Sequence, residues 1–445
     1  MEKRDLTRGS ILGNIMTFSL PYMLSYFLQM LYGLADMFVI GQYCGVDSIT
    51  AVSNGAQVMH LFTVVIIGIA MGTTVLTARA VGAHDAKRMS RIIGNSITMF
   101  VVLALVFAAV SLCFMCDMVR VIDTPVEAVA ETGQYLLVCF LGIPFVVAYN
   151  VIASIFRGLG DSKRPMYFVA VACVANILLD YVFIGNCGLG AIGAALGTTL
   201  SQMISVMISI IAIMRHKSLL NVSRSDLKPS VRVVKNLLKI GVPVSLQDGF
   251  IQVAFIAITV IANGRGLNDA AAVGIVEKFI GLVFVVPSSM LSSVSAISAQ
   301  NFGAGLIGRA QQTMKTAMAI SFIYGIVVAV VLQFVPQFAV SIFTGDADVV
   351  MLGGEYLRGY SWDCALAGVH FCFSGFFVAC GYSVISFCHN FLSIVCARIP
   401  LSYMASEMYP DTLFPMGLAS PAGSLLSVVI CTAAYWWLVK HNKFS

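Results

Sequence analysis

The sequence predicts an all-α polytopic membrane protein: twelve transmembrane helices in two six-helix bundles related by a parallel pseudo-two-fold repeat. Three observations predict it. The chain has 445 residues, 59% hydrophobic and only 11% charged, where soluble domains carry about 25% charged residues. Its apolar residues fall in runs long enough to cross a bilayer. Three blocks of the first half return in the second half at a nearly fixed offset. One large soluble core would not need so many runs of that length. A β-barrel would show short alternating segments instead.

The apolar runs lie near 13–40, 53–79, 92–116, 128–156, 165–185, 190–214, 237–262, 271–300, 311–337, 353–380, 384–405 and 414–439. The opening MEKRDLTRGS is charged and short, and the apolar stretch after it lacks a small-residue cleavage site, so no cleaved signal peptide is expected. Threading the runs from an inside N-terminus puts 21 of the 26 Lys and Arg residues on the inside. Arg120, Arg265 and Arg358 fall outside, and Lys278 and Arg398 lie within helices. The positive-inside rule then makes both termini cytoplasmic.

The longest inside loop, 215–236, sits near the middle of the chain. The expected organisation is an N-terminal bundle over 1–214, a cytoplasmic linker over 215–236 and a C-terminal bundle over 237–445. SLPYMLSYFLQ (19–29) corresponds to GVPVSLQDGFI (241–251), ARAVGAHDAKR (78–88) to AQNFGAGLIGR (299–309), and YLLVCFLGIPF (135–145) to YLRGYSWDCAL (356–366). The offset stays at 221 or 222 residues, which separate chance matches would not hold. Six crossings return the chain to its starting side, so the halves are parallel repeats about an axis along the membrane normal. Two such bundles, rocking about a cavity between them, form a transporter architecture.

The segment ANILLDYVFIG (175–185) carries Asn176 and Asp180 among apolar residues. A carboxylate inside a bilayer costs about 2.5–3.5 kcal/mol on insertion scales, so it marks a functional position by default. Twelve cysteines are scattered, mostly within apolar runs, where they act as small hydrophobes. Cys113 and Cys116 form a CxxC without a second pair, and a Cys44–Cys187 disulfide near the outer surface stays open.

LPYMLSYFLQMLYGLADMFVIG (20–41), ARAVGAHD (78–85), GIPFVVAYNVIASIFRGLGDSKRP (142–165), NILLDYVFI (176–184) and GLGAIGAALGT (188–198) resemble the multidrug and toxic compound extrusion (MATE) family. The branch is that of DNA-damage-inducible protein F and related bacterial exporters. The likeness runs helix for helix along the whole chain. It implies export of cationic amphipathic compounds driven by inward H⁺ or Na⁺ movement. It also implies a coupling-ion site at Asp36, Asn176, Asp180 and Thr198, a further polar cavity position at Asn150, and bending of the first helix at Pro21 when the site is loaded. A static kink at Pro21 is the plain alternative.

Depth agrees with that site. At 1.5 Å rise per residue, Asp36, Asp180 and Thr198 all fall in the outer half of their helices. Asn176 and Asp180 are four apart and share a helix face. Two carboxylates, a carboxamide and a hydroxyl suit a hard cation such as Na⁺, and the same two carboxylates can share a proton. For Asn176 or Thr198 alone, interhelical hydrogen bonding is a sufficient account. Asp36 and Asp180 together have no Lys or Arg in the same bundle interior, so they need a mobile partner.

The second half has not kept the pair: Asn176 corresponds to Arg398 and Asp36 to Ile258. Its membrane-embedded charges are Asp248, Glu277, Lys278, Asp363 and Arg398. Glu277, Asp363 and Arg398 share the outer half as candidate cavity residues, either a structural cluster or a second functional site. His60, His370 and His389 are intramembrane candidates for proton relay.

Three functional readings are weighed. The first is a cation-coupled multidrug antiporter. The second is a flippase or exporter of lipid-linked or polysaccharide substrates, whose anionic cargo would need inward-facing Arg and Lys. The third, a membrane enzyme, lacks HExxH, GxSxG and metal-ligand spacing, and no P-loop marks an ATP-driven pump. The first is preferred. It predicts no cofactor besides transported H⁺ or Na⁺, partners limited to the bilayer and small cationic amphiphiles, no nucleic acid, monomeric function, and a bacterial plasma or inner membrane location.

Overall fold

The computed structural model describes residues 5–122, 124–215 and 222–444. Lys3, Arg4 and Lys217, counted above among the inside charges, lie outside the described residues. The first half runs α1 (Ile11–Tyr43), α2 (Val46–Gly82), α3 (Ala86–Cys113), a short α4 (Met115–Val121), α5 (Val129–Gly158), α6 (Lys163–Asp180) and α7 (Gly190–Arg215). A π-helix, Tyr181–Asn186, continues α6. The second half runs α8 (Val231–Arg265), α9 (Leu267–Val283), α10 (Val285–Gly303), α11 (Ile307–Phe334), a short α12 (Pro336–Ser341), α13 (Ala347–Tyr360), α14 (Asp363–Ala379), α15 (Ser383–Ser393), α16 (Ile399–Met408) and α17 (Phe414–Lys440). A second π-helix, Ile394–Arg398, joins α15 to α16.

Among the described residues, ten helices are long and apolar enough to cross a membrane, or twelve when each of two bent pairs is one span. The bends interrupt runs that the sequence reads as continuous. α9 and α10 meet at 40°. Pro287 lies in the first turn of α10, where its ring cannot donate to, and crowds, the carbonyl of Val283 at the end of α9. α13 and α14 meet at 44°. There the Arg358 carbonyl is taken by side chains, with Gln333 Nε2 donating at 2.9 Å and Ser361 Oγ at 3.0 Å. Side chains inserted into a helix ladder are a recognised cause of kinks.

The repeat is visible in the turns. α2 ends with Asp85 N–H on the Ala80 carbonyl and His84 at φ 53°; α10 ends with Leu306 N–H on the Asn301 carbonyl and Gly305 at φ 75°. α5 ends with Asp161 N–H on Phe156 and Gly160 at φ 87°; α14 ends with Tyr382 N–H on Phe377 and Gly381 at φ 80°. Each pair is the same left-handed helix stop, a Schellman turn, 221 residues apart.

By its internal contacts the chain sorts into two compact units, one containing Leu20–Gly241 and the other Leu6–Ser19 with Val242–Ser445. The start of α1 therefore belongs with the second half. Leu6, Ile15 and Phe18 are buried with Met290, Val294, Phe376 and Cys431. Leu6 N–H donates to Gln300 Oε1 at 3.1 Å, and Arg309 Nη2 donates to the Arg8 and Gly9 carbonyls at 2.9 and 2.8 Å. Likewise the start of α8 belongs with the first half. A methyl on Gly241 would stand 2.5 Å from the Ile69 carbonyl oxygen, so α2 and α8 touch backbone to backbone there. Each division falls two residues before a proline inside a helix, Pro21 in α1 and Pro243 in α8.

The linker ahead of α8 is stitched to α3. Asn95 Nδ2 donates to the Asp226 carbonyl at 3.0 Å, Asn95 Oδ1 accepts from Ser230 N–H at 2.6 Å, and Thr98 Oγ1 donates to the Leu227 carbonyl at 2.7 Å. The cysteines raised as a disulfide pair, Cys44 and Cys187, are both free thiols.

Candidate cation site

The first unit gathers four polar side chains from three helices. Asp36 comes from α1, Asn176 and Asp180 from α6, and Thr198 from α7. Asp180 is 0% exposed, Asn176 1% and Asp36 7%. Thr198 Oγ1 donates to Asp36 Oδ2 at 3.1 Å. Asp36 is in electrostatic contact with Asp180, and its carboxyl also faces Asn176. Asp36 Oδ1, both Asp180 oxygens and both amide atoms of Asn176 are buried without a hydrogen-bond partner. Acceptors left unpaired in an apolar interior cost free energy, and two carboxylates facing each other repel.

Local backbone explains the convergence. The helix widens into its π turn directly after Asp180, an irregularity that recurs at functional sites. On α7, Gly197 stands next to the two α6 side chains. A Cβ there would clash with Asp180 Oδ1 and lie 3.6 Å from Asn176 Nδ2. The missing side chain is the room the carboxyl occupies. Tyr32, Tyr135, Cys139 and Cys173 lie within electrostatic range of Asp36. Gly197 carries little signal in a chain rich in glycine, and the tyrosines and cysteines carry little because they sit in apolar runs. For Gly197 the available signal was its place beside Thr198.

The other first-half candidates, Asn150 and Pro21, have hydrogen-bond partners on their own helices. Asn150 is buried in α5, but its Nδ2 donates to the Val146 carbonyl of its own helix at 2.9 Å. Pro21 lies inside an unbroken α1, where Ser25 Oγ donates to its carbonyl at 2.9 Å.

In the second unit Glu277, Asp363 and Arg398 do converge. Both carboxyls feel the Arg398 charge. The guanidinium bonds Tyr360 Oη and lies over the Phe255 ring at 5.1 Å. Thr259 Oγ1 donates to Glu277 Oε2 at 3.3 Å. Among the three histidines, His370 and His389 stand edge to face with ring centroids 5.7 Å apart, while His60 is exposed on α2.

Long apolar helices folded as a two-fold repeat, with a buried acid pair, define a multi-pass membrane transporter. The MatE family model matches residues 21–182 and again 243–404, two stretches in the same 222-residue register as the repeat. The chain belongs to the MATE family of multidrug efflux transporters. Among similar proteins, the probable multidrug resistance protein YoeA of Bacillus subtilis (strain 168) is 25% identical over 99% of this chain and 96% of its own length. The multidrug export protein MepA of Staphylococcus aureus (strain MSSA476) is 26% identical over 82% of this chain and 81% of its own. A solved structure described as the outward-facing conformation of a multidrug resistance MATE transporter shares the fold with a TM-score of 0.93, at 21% identity over 100% of this chain and 99% of that one.

Proposed function

We propose that the protein is an antiporter that exports cationic amphipathic compounds by alternating access, coupled to inward movement of H⁺ or Na⁺ through Asp36, Asn176, Asp180 and Thr198. The carrying observation is the Asp36–Asp180 pair: two buried carboxyls with unpaired oxygens and a single hydroxyl donor, Thr198. Loaded with H⁺ or Na⁺, the pair is neutralised; unloaded, it is negative. Alternation of those states is a differential interaction of the kind a conformational change requires. One pH unit supplies about 1.4 kcal/mol per proton, and 100 mV about 2.3 kcal/mol per charge moved. On this reading the chain works as a monomer in a bacterial cell membrane with both termini cytoplasmic. A flippase of lipid-linked anions is the second reading, and it draws on Arg398 alone.

The test uses purified protein in liposomes and a fluorescent lipophilic cation, under a pH gradient alone and then a sodium gradient alone. Transport under either gradient, lost in Asp180→Asn, supports coupling at the pair and names the ion. Undiminished transport in Asp180→Asn removes the pair from the mechanism. Failure to move any cation brings the anionic-lipid reading forward.

A further inference from the structure

The first unit carries a basic surface that its carboxyl cluster does not use. Two pieces of chain build it. Lys87, Arg88 and Arg91 lie in the first turns of α3, and all three are exposed. Arg224 and Lys228 on the linker, with Arg232 and Lys235 at the start of α8, are exposed as well. Among the described residues, none of the seven makes an ion pair. Residues 85–91 and 223–235 hold only two acids, Asp85 and Asp226. Asp85 caps α3 by accepting from Arg88 N–H at 2.9 Å, and Asp226 accepts from Ser223. Seven cations against two carboxylates leave five positive charges.

Uncharged groups hold the two pieces together. Asn95 and Thr98 donate to the linker carbonyls of Asp226 and Leu227. A methyl on Gly94 would overlap the Asp226 carbonyl oxygen, so the linker backbone lies directly on α3. Lys87 and Arg91 are within electrostatic range of Asp226, which joins the α3 and linker cations into one surface.

The cations do not account for this packing. At the repeat offset of 221, Lys87 and Arg91 correspond to Gly308 and Gln312. Arg88 corresponds to Arg309, whose guanidinium is taken up by the Arg8 and Gly9 carbonyls. The second half closes the same turn without the extra charges. Like charges three and four apart on one helix repel, and cations at a helix start oppose its dipole. The cluster therefore works against α3 unless an anion from outside meets it.

The level of the surface says which anion fits. The linker crosses α3 at residues 94–98, in the first turns of the apolar run that begins near residue 92. That is the boundary between headgroups and acyl chains. There Leu227 is 38% exposed and Val231 84%, each followed in sequence by a cation. Exposed apolar side chains among Lys and Arg suit a leaflet of negatively charged headgroups. A soluble anion would meet the charges and leave both apolar side chains in water.

We propose that this surface binds anionic phospholipid headgroups in the leaflet on the basic side, with Leu227 and Val231 at the acyl boundary. The linker is already fixed on α3, so little ordering is lost on binding. This binding needs neither the export reading nor a coupling ion.

The experiment places the full chain in bilayers of phosphatidylcholine and phosphatidylglycerol. Leu227→Trp is the reporter, in a chain that also carries Trp362→Phe, Trp436→Phe and Trp437→Phe. Lipids with brominated chains quench a nearby indole. Phosphatidylglycerol should be preferred over phosphatidylcholine at the reporter. The preference should fall by roughly fivefold for each cation removed in Arg91→Gln, Lys228→Gln and Arg232→Gln, and it should weaken in high salt. Lys315→Gln, Lys440→Gln and Lys443→Gln together remove as much charge from the second half and should leave it unchanged. Equal quenching by both lipids, or an equal loss in the two triple variants, overturns the proposal. Loss of the preference on adding inorganic phosphate also overturns it and assigns the surface to a soluble anion. Native mass spectrometry checks the chain without a reporter: phosphatidylglycerol adducts should survive delipidation and disappear in the Arg91, Lys228 and Arg232 triple variant. Adducts retained in that variant would put the lipid elsewhere and overturn the assignment.

Discussion

Gly197 on α7 sits against the Asp180 carboxyl so closely that a single methyl at its Cα would overlap Oδ1. Overpacking a tight site costs about 1–3 kcal/mol, and each 1.4 kcal/mol is roughly tenfold in affinity. Gly197→Ala should therefore weaken coupling-ion affinity by roughly tenfold while the helices stay folded. Titration of transport against the driving ion, with circular dichroism as the fold control, measures it. An unchanged ion dependence would mean that Asp180 moves aside at no cost and that its position is not critical.

Pro21 and Pro243 lie at matching points of the two halves. Each removes one helical hydrogen bond, at a cost of up to about 3 kcal/mol in a helix interior. Pro21→Ala restores a donor for the Thr17 carbonyl. It is expected to raise the melting temperature and to slow transport, and Pro243→Ala should do the same. Higher stability with full transport would remove both prolines from the transport cycle.

Asp226 gives a pH dependence outside the membrane. The Ser223 hydroxyl and the Ser223 N–H donate to its carboxylate at 2.7 and 3.0 Å and hold its carboxyl below the usual carboxylate range. A depressed folded-state value means the stabilisation is fully present above the ordinary carboxylate value of about 3.9 and is lost as pH falls through the folded value. Amide-exchange protection of residues 222–230, corrected for intrinsic rates, should be constant near neutrality and fall in acid. Asp226→Asn should show that fall already at pH 7. Full protection in the variant at pH 7 would assign the linker's order to Asn95 and Thr98 alone.

The sequence exposed the fold through averages that hold over whole helices. Twenty apolar residues and the placement of Lys and Arg need no side-chain detail to be read. It also exposed Asp36 and Asp180, because a carboxylate in an apolar run has no cheap explanation. It did not expose the bend between α13 and α14, which depends on Gln333 reaching the Arg358 carbonyl from another helix. Nor did it expose the hydroxyl contacts of the His370 and His389 rings. Serine is ordinary in a membrane helix, and the significance of Ser374, Ser424 and Ser427 comes from their convergence on two rings carried by different helices. Gly197 was hidden for the opposite reason: its contribution is the space left by an absent side chain.

The division of α1 and α8 between the units sets an order of assembly. A ribosome makes residues 6–19 long before their packing partners Met290, Phe376 and Cys431. The first unit, in turn, is incomplete until Gly241 has been added. Insertion into the membrane must therefore hold the opening segment of the chain in a provisional setting while more than four hundred residues follow. A truncated product ending after α7 would lack part of its own unit and leave Leu6, Ile15 and Phe18 without their packing partners.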